Sequence, residues 1–191
     1  MTRLTLVRHG ETEWSANGRH TSVTDLPLTD RGRDQALRLY GHLDPAQFGL
    51  VLTSPRQRAR VTAGLAGFVG PHTAEIDEDL VEWSYGEYEG RTSEEIRQAV
   101  PGWTIWSHPA PGGETAEEVR VRLSRVVDRV RGSGVDRAVV FGHGHALRAL
   151  TLCWLGFDLA LGVHFPLDTS TVSVLGEEKG EPALESWNAR V

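Results

Sequence analysis

Two histidines of this chain stand in settings that favour phosphate chemistry. His9 lies between Arg8 and Gly10 directly after an apolar run, and His143 follows a second apolar run within the sequence Gly-His-Gly-His. Cationic groups at the end of a buried strand are costly to bury unless an anion is bound beside them. Arginine side chains match phosphate oxygens, and glycine lets the backbone come close to a ligand. The residue types therefore predict an anion site, with a phosphoryl group as the anion.

The elements that position these histidines are predicted to be parallel strands. Apolar runs at 3–7, 50–54 and 138–142 are typical of buried strands, and the third ends at His143. The run 50–54 leads into a helix whose first turn carries Arg58. Alternating strands and helices predict an α/β fold, a three-layer α/β/α sandwich with a mainly parallel central sheet. Ligands of such sheets bind beyond the carboxyl ends of the strands, where both histidines are expected.

Several helix ends carry recognisable signals. Thr29 is a predicted N-cap, and Thr115 with Glu118 has the spacing of a capping box. In the first long helix, Leu37 and Tyr40 are predicted to share the buried face with Ala36 and Leu43. The last segment resembles an antiparallel hairpin. The predicted helices are 28–43, 55–68 (with Pro55 as the first residue), 92–100, 114–131 and 145–156.

Composition and charge exclude several classes of partner. The 191 residues predict one domain, 1–191, and the net charge of −6 argues against nucleic acid and anionic membranes as partners. Cys153 is the single cysteine, so no internal disulfide is expected. Charge appears too early for a signal peptide and no apolar run reaches about 20 residues, which predicts a cytoplasmic protein. Because all but Lys179 of the 20 basic residues are arginine, an arginine indicates function only where burial makes it costly.

Six motifs follow one another in an order and spacing that resemble one known family. Across residues 3–175 the motifs are LVRHGETEW, DLPLTDRG, TSPRQRARVTA, LVEWSYGEYEG, PGGET and VVFGHG. Together they resemble the histidine phosphatase superfamily, in the branch that includes cofactor-dependent phosphoglycerate mutases and fructose-2,6-bisphosphatase. The stretch YGEYEGRTSEEI is similar to the phosphatase members of that branch rather than to the mutases. The resemblance implies a phosphoglycerate mutase-like sandwich and a metal-independent phosphatase with no cofactor.

The resemblance also implies roles for five residues. His9 is the nucleophile that becomes phosphohistidine, and Arg8, Arg58 and His143 complete the phosphate pocket. Glu82 donates a proton to the leaving group and activates water. This assignment agrees with elementary chemistry, because a neutral imidazole attacks phosphorus and leaves again while arginines stabilise the transferring phosphoryl group.

A further set of residues is expected to contact phosphate or substrate. Many members of the family carry asparagine where this chain has Ser15, which donates a hydrogen bond with shorter reach. Specificity is expected in a substrate-covering insertion around 83–114, whose Trp103 and Trp106 either cover the pocket or pack the loop on the core. The predicted contact residues are Ser15, Arg19, His20, Thr21, Gly144 and His145.

Three alternatives to a phosphatase stay open from the sequence. A mutase would retain the phosphoryl group on His9 between substrates. A metal hydrolase would use His143 and His145 with His9 and Glu82, although neighbouring arginines would repel a divalent cation. A catalytically inactive protein would bind a phospho-ligand only. The substrate is expected to be a small phosphoester of undetermined identity, and an exposed edge strand would support a homodimer.

Overall fold

A mixed β-sheet forms the centre of the protein, for which a computed structural model describes residues 2–191. Its strands in that range are β1 (Arg3–Arg8), β2 (Leu50–Thr53), β3 (Glu75–Ile76), β4 (Arg137–Gly142), β5 (Val172–Glu178) and β6 (Glu181–Ala189). Their spatial order is β3-β2-β4-β1-β5-β6. The pairs β1–β4, β2–β4 and β2–β3 are parallel, whereas β5 runs antiparallel to β1 and to β6. The predicted parallel sheet and the terminal hairpin are therefore confirmed.

Helices cover both faces of this sheet. In the described residues they are α1 (Glu13–Ala16), α2 (Asp30–Arg38), α3 (Gln57–Leu65), α4 (Ser93–Arg97), α5 (Ala116–Gly132) and α6 (Gly144–Leu155). Not one of these helices has both the length and the apolar character needed to cross a membrane.

The core lies in two layers because side chains of a strand alternate between the faces of the sheet. Leu4 and Leu6 of β1 pack with the apolar faces of α5 and α6. Val7 points to the other face, where it packs with Leu39, beyond the end of α2, and with Ala63 of α3. The three-layer α/β/α sandwich is thus confirmed.

The first long helix is shorter than its sequence pattern predicted. It ends at Arg38, not at residue 43, and the chain turns at Gly41 with φ of +85°. Leu37 is 49% exposed and Tyr40 is 70% exposed, so their predicted places in the core were wrong. Leu39 is fully buried instead, because it follows Gly32 and Ala36 at i+7 and i+3 on the buried face of the helix, whereas Leu37 lies on another face.

The start of α3 is set by a residue that is distant in sequence. The helix begins at Gln57, not at Pro55, and the Asp25 carboxylate accepts a hydrogen bond from the Gln57 backbone N–H at 2.9 Å. The N-caps predicted at Thr29 and Thr115 are confirmed, since each side chain accepts a hydrogen bond from a backbone N–H of the first turn.

Candidate active site

The two glycine-flanked histidines lie side by side at the carboxyl ends of β1 and β4. The backbone N–H of His9 donates to the carbonyl of Gly142 at 3.0 Å, and the ring centroids of His9 and His143 are 5.2 Å apart. His9 is 5% exposed and His143 is fully buried. A Cβ at Gly10 would lie 2.3 Å from the carbonyl oxygen of Gly32 in α2. Glycine therefore allows the chain to turn away from the sheet directly after His9.

Hydrogen bonding fixes which nitrogen of His9 is free. His9 Nδ1 lies 2.7 Å from the carbonyl oxygen of Gly10. A carbonyl only accepts, so Nδ1 carries the proton and Nε2 keeps its lone pair. Burial, together with the charges of Arg58 and Arg8, holds the pKa of His9 well below its usual value. The result is a neutral imidazole whose Nε2 is available for attack.

Arg58 and His143 form a buried pair behind His9. Arg58 is 0% exposed, and its Nε donates to His143 Nδ1 at 3.2 Å. His143 therefore carries its proton on Nε2, which donates to Ser54 Oγ at 2.7 Å. Burial lowers the pKa of His143 well below its usual value, and the nearby Arg58 charge adds to this effect. The pair places a fixed cation and a neutral imidazole against the nucleophile.

Arg8 is the second arginine of the site. Its Nη1 donates to the carbonyl of Leu167, while its buried Nε has no hydrogen-bond partner among the described residues. Burial lowers the pKa of Arg8, and the Glu82 carboxylate partly offsets that effect. Gly144 packs beside this side chain, since a Cβ there would lie 3.4 Å from the Arg8 guanidinium carbon, an ordinary contact distance. Arg8 thus has unused capacity to donate hydrogen bonds to an anion.

Glu82 is oriented by the beginning of α6. Its Oε1 accepts from the backbone N–H groups of Trp83 at 2.8 Å and Ala146 at 2.7 Å, and its Oε2 accepts from His145 N–H at 3.0 Å. The N–H groups at a helix N-terminus have no partner within the helix, so they are free to orient this side chain. The helix that follows His143 therefore also positions the candidate acid.

A cavity of about 180 Å³ joins these groups. Arg58 and His143 are buried behind it, and its walls do not include them. Its volume suits a small ligand. The predicted residues that line it are Arg8, His9, Ser15, Arg19, His20, Thr21, Glu82, Gly144 and His145.

Two of the predicted phosphate contacts use their polar atoms elsewhere. Ser15 Oγ forms a capping box with Thr12, accepting from the Thr12 N–H at 2.8 Å. Arg19 Nη1 donates to the carbonyl of Gly90 at 2.6 Å and lies 3.5 Å from the Glu95 carboxylate. Both residues stay at the cavity wall, but the hydrogen bonds predicted for them toward phosphate compete with these local bonds.

Tyr85 was not singled out from the sequence as a wall residue, and it organises the two predicted histidines. Its ring packs on His20 with centroids 4.6 Å apart, and its hydroxyl lies 2.6 Å from His145 Nδ1. Burial, with the adjacent Glu82 charge, raises the pKa of Tyr85 well above its usual value, so the phenol keeps its proton and donates it. His145 then carries its own proton on Nε2.

Arg148 is a further wall residue that sequence reasoning missed. Its guanidinium lies over the ring of Trp106, 4.7 Å from the centroid, and donates to the carbonyl of Gly162. Burial lowers the pKa of Arg148 to about 10, and no carboxylate of the described residues lies within 4.0 Å of it. Trp106 in turn contacts the His145 ring, with centroids 5.3 Å apart. Trp103 and Trp106 are both buried, so they pack the loop on the core and also support this wall.

Two buried histidines, His9 and His143, and two half-buried ones, His20 and His145, predict a loss of stability in mild acid. Burial holds the pKa of His9, His143 and His145 well below the usual value and that of His20 at about 4. The unfolded chain binds protons at these positions near pH 6.5 and the folded chain does not, so stability falls as the pH falls. From pH 7.5 to 5.5, each of the four should remove about 1.4 kcal/mol, so the free energy of unfolding in urea should drop by up to about 5.5 kcal/mol.

A variant of one of these histidines tests whether they cause the loss of stability in acid. His20→Asn removes one titrating group. Its free energy of unfolding should therefore fall by about 1.4 kcal/mol less than that of the unmodified chain between pH 7.5 and 5.5. An unfolding free energy that is equal at both pH values would contradict the neutral state of these side chains.

The metal-ligand alternative finds no support in these contacts. Both ring nitrogens of His143 are occupied by Arg58 and Ser54, and Nδ1 of His145 is occupied by Tyr85. Within residues 2–191, no group of three or more histidine, cysteine, aspartate or glutamate side chains is arranged to hold a metal ion.

Paired histidines and arginines at the carboxyl edge of a parallel sheet form a site of an α/β protein that is suited to an anionic ligand. Comparison with known proteins gives the family. The sequence profile of the histidine phosphatase superfamily (branch 1) matches residues 4–190. The chain belongs to this superfamily, as its motifs predicted.

Proteins similar to this chain include phosphatases. An acid phosphatase of Mycobacterium tuberculosis is 41% identical over 93% of this chain and 88% of its own length. A sedoheptulose 1,7-bisphosphatase of Saccharomyces cerevisiae is 37% identical over 82% of this chain and 69% of its own length. The solved structure of an open reading frame product from M. tuberculosis has a TM-score of 0.92 at 37% identity, covering 99% of this chain and 98% of the other. This chain is accordingly a phosphatase of the histidine phosphatase type.

Proposed function

We propose that this phosphatase hydrolyses small phosphomonoesters without a metal ion, through a phosphoryl group carried on His9 Nε2. The observation that carries the proposal is the state of His9. Its Nδ1 is held by the Gly10 carbonyl at 2.7 Å, and its neutral ring stands beside the charges of Arg58 and Arg8. A neutral nucleophile between fixed cations meets the requirements of phosphoryl transfer.

The reaction proceeds in two steps. In the first, Nε2 of His9 bonds to phosphorus while the bond from phosphorus to the leaving alcohol oxygen breaks, and the Glu82 carboxyl gives its proton to that oxygen. In the second, Glu82 takes a proton from water, whose oxygen bonds to phosphorus as the phosphorus–nitrogen bond breaks and releases inorganic phosphate. In both steps Arg8 donates to the phosphoryl oxygens, while the charge of Arg58, which lies behind the cavity wall, stabilises them electrostatically.

The walls of the cavity suggest the kind of substrate. Protonated Nε2 of His145 offers a neutral hydrogen bond, and His20 and Tyr85 present a polar aromatic surface. Arg148 adds a half-buried cation without an acidic partner among the described residues. We infer a small polar phosphoester with hydroxyl groups and a second anionic group, such as a sugar phosphate, a sugar bisphosphate or a phosphoglycerate. The bisphosphatase activity of the yeast relative supports this class.

Other features of the protein stay predictions. The segment 83–114 is proposed to cover the substrate, and Trp106 at the His145 ring supports that role. A single domain over residues 1–191, a cytoplasmic location and a homodimer rest on the sequence.

A panel of phosphoesters tests the proposed function. Phosphate release is measured from sugar phosphates, sugar bisphosphates, 3-phosphoglycerate and p-nitrophenyl phosphate, with and without excess EDTA. We expect release that EDTA does not change, and conversion of 3- to 2-phosphoglycerate that is slower than release. Faster conversion would favour the mutase, loss in EDTA would favour a metal enzyme, and no release from any ester would favour an inactive binding protein.

A further inference from the structure

Glu89, the second glutamate of the motif YGEYEG, has no role in the proposed chemistry. Its carboxylate nevertheless accepts several hydrogen bonds. Glu89 Oε1 accepts from the backbone N–H groups of Ser22 at 2.9 Å and Thr24 at 3.0 Å. Its Oε2 accepts from Ser22 Oγ at 2.6 Å. These bonds lower the pKa of Glu89 although its partial burial acts in the opposite direction. A carboxylate with this many donors fixes the conformation of the backbone that supplies them.

The same backbone holds Arg58 from its other side. Arg58 Nη1 donates to the carbonyl of Thr24 at 3.0 Å, and Nη2 donates to those of Thr21 at 3.2 Å and Ser22 at 3.3 Å. This guanidinium is fully buried, and its nearest carboxylate, that of Asp25, is 3.8 Å away. Peptide carbonyls therefore supply most of the direct polar contacts of the cation.

Ser22 and Thr24 each connect the two charges. Each donates its N–H to the Glu89 carboxylate and offers its C=O to the Arg58 guanidinium. The negative end of each residue's polar backbone thus faces the cation and the positive end faces the anion, which stabilises this otherwise irregular stretch. The 21–24 segment also carries Thr21, which lines the cavity.

We propose that Glu89 is a positioning residue for Arg58: through the 21–24 segment, it holds the buried guanidinium in the position from which its charge acts on a phosphoryl group at His9. The inference rests on the proposed function, because it requires that Arg58 act on a phosphoryl group at His9. Glu89 itself does not line the cavity, so it acts through other residues.

The substitution Glu89→Gln tests this role with little change in volume. An amide replaces one acceptor oxygen with an N–H donor, which opposes the N–H and O–H groups of Ser22. A displacement of Arg58 of about 1 Å should lower kcat/KM by up to about 100-fold. The inhibition constant of vanadate, a phosphate mimic, should rise with it. Glu87→Gln is the matched control, because Glu87 is exposed on the same turn and should change neither quantity.

A double-mutant cycle separates positioning from general structural damage. In an Arg58→Lys background the guanidinium is gone, so Glu89→Gln should lower kcat/KM far less than it does beside Arg58. Ser22→Ala, which removes one hydrogen bond to Glu89, should give a smaller loss that also depends on Arg58. It serves as the second variant if Glu89→Gln does not fold.

The outcomes distinguish this inference from the proposed function. An equal loss in both backgrounds, or unchanged activity and vanadate inhibition in folded Glu89→Gln and Ser22→Ala, would overturn the role of Glu89 while leaving phosphatase activity intact. An unmodified chain that releases no phosphate from any ester would overturn the proposed function itself.

Discussion

Replacement of His9 by alanine is expected to lower kcat for a phosphomonoester by at least about 10⁴-fold. The reason is that the covalent route requires a free lone pair on Nε2 of His9, and neither His143 nor His145 offers one in its place. Both nitrogens of His143 are engaged by Arg58 and Ser54, and His145 presents a protonated Nε2. The measurement is phosphate release under saturating p-nitrophenyl phosphate.

The control for this variant is His42→Ala. His42 is exposed and lies outside the cavity, so its replacement should leave kcat and the unfolding transition unchanged. Appreciable turnover by folded His9→Ala would mean that water attacks phosphorus directly, with the arginines alone as the catalytic groups.

Glu82→Gln is expected to lower kcat for a sugar phosphate by about 10²–10⁴-fold. An alkoxide leaves only with a proton, and the glutamine amide supplies no such proton. For p-nitrophenyl phosphate the loss should be smaller, because its phenolate leaves without protonation. The two substrates are compared on the same variant in the same buffer.

The ratio of the two losses also serves as the internal control. Glutamine places an N–H against one of the backbone N–H groups of Trp83, Ala146 and His145, which disturbs the local geometry. A fault in geometry alone would slow both substrates equally. Equal losses would therefore contradict the role of Glu82 as proton donor.

The sequence predicted the sheet and the residues at its carboxyl edge because each had a local signal. His9 and His143 follow strands directly, so the rule for parallel sheets brings them together without knowledge of the loops. The boundaries of α2 were less predictable. A turn at Gly41 ends the helical phase early and exposes Tyr40, and the apolar pattern alone does not record such a turn.

The hydrogen-bond and packing partners of side chains within the site could not be predicted from the sequence. Arg148 carries no local signal in a chain where arginine is common, and its packing against Trp106 depends on a loop that has no periodic pattern. Glu89 stood in a recognisable motif, but its bonds to residues 22 and 24 cross 65 or more positions of the chain. The tautomer of His145 depends on Tyr85 in the same way, through a contact between segments that are separated in sequence.

The central claim is that the phosphoryl group resides on His9 during turnover, and peptide mapping tests it most directly. Unmodified chain and Glu82→Gln are quenched in alkali during turnover of a ³²P-labelled phosphoester and digested with trypsin, which cuts after Arg8 and Arg19. The peptide 9–19 contains a single histidine, whereas His143 and His145 both lie in 138–148. We predict alkali-stable, acid-labile label on 9–19. Label on 138–148, or the absence of such label from both proteins during phosphate release, would contradict the account.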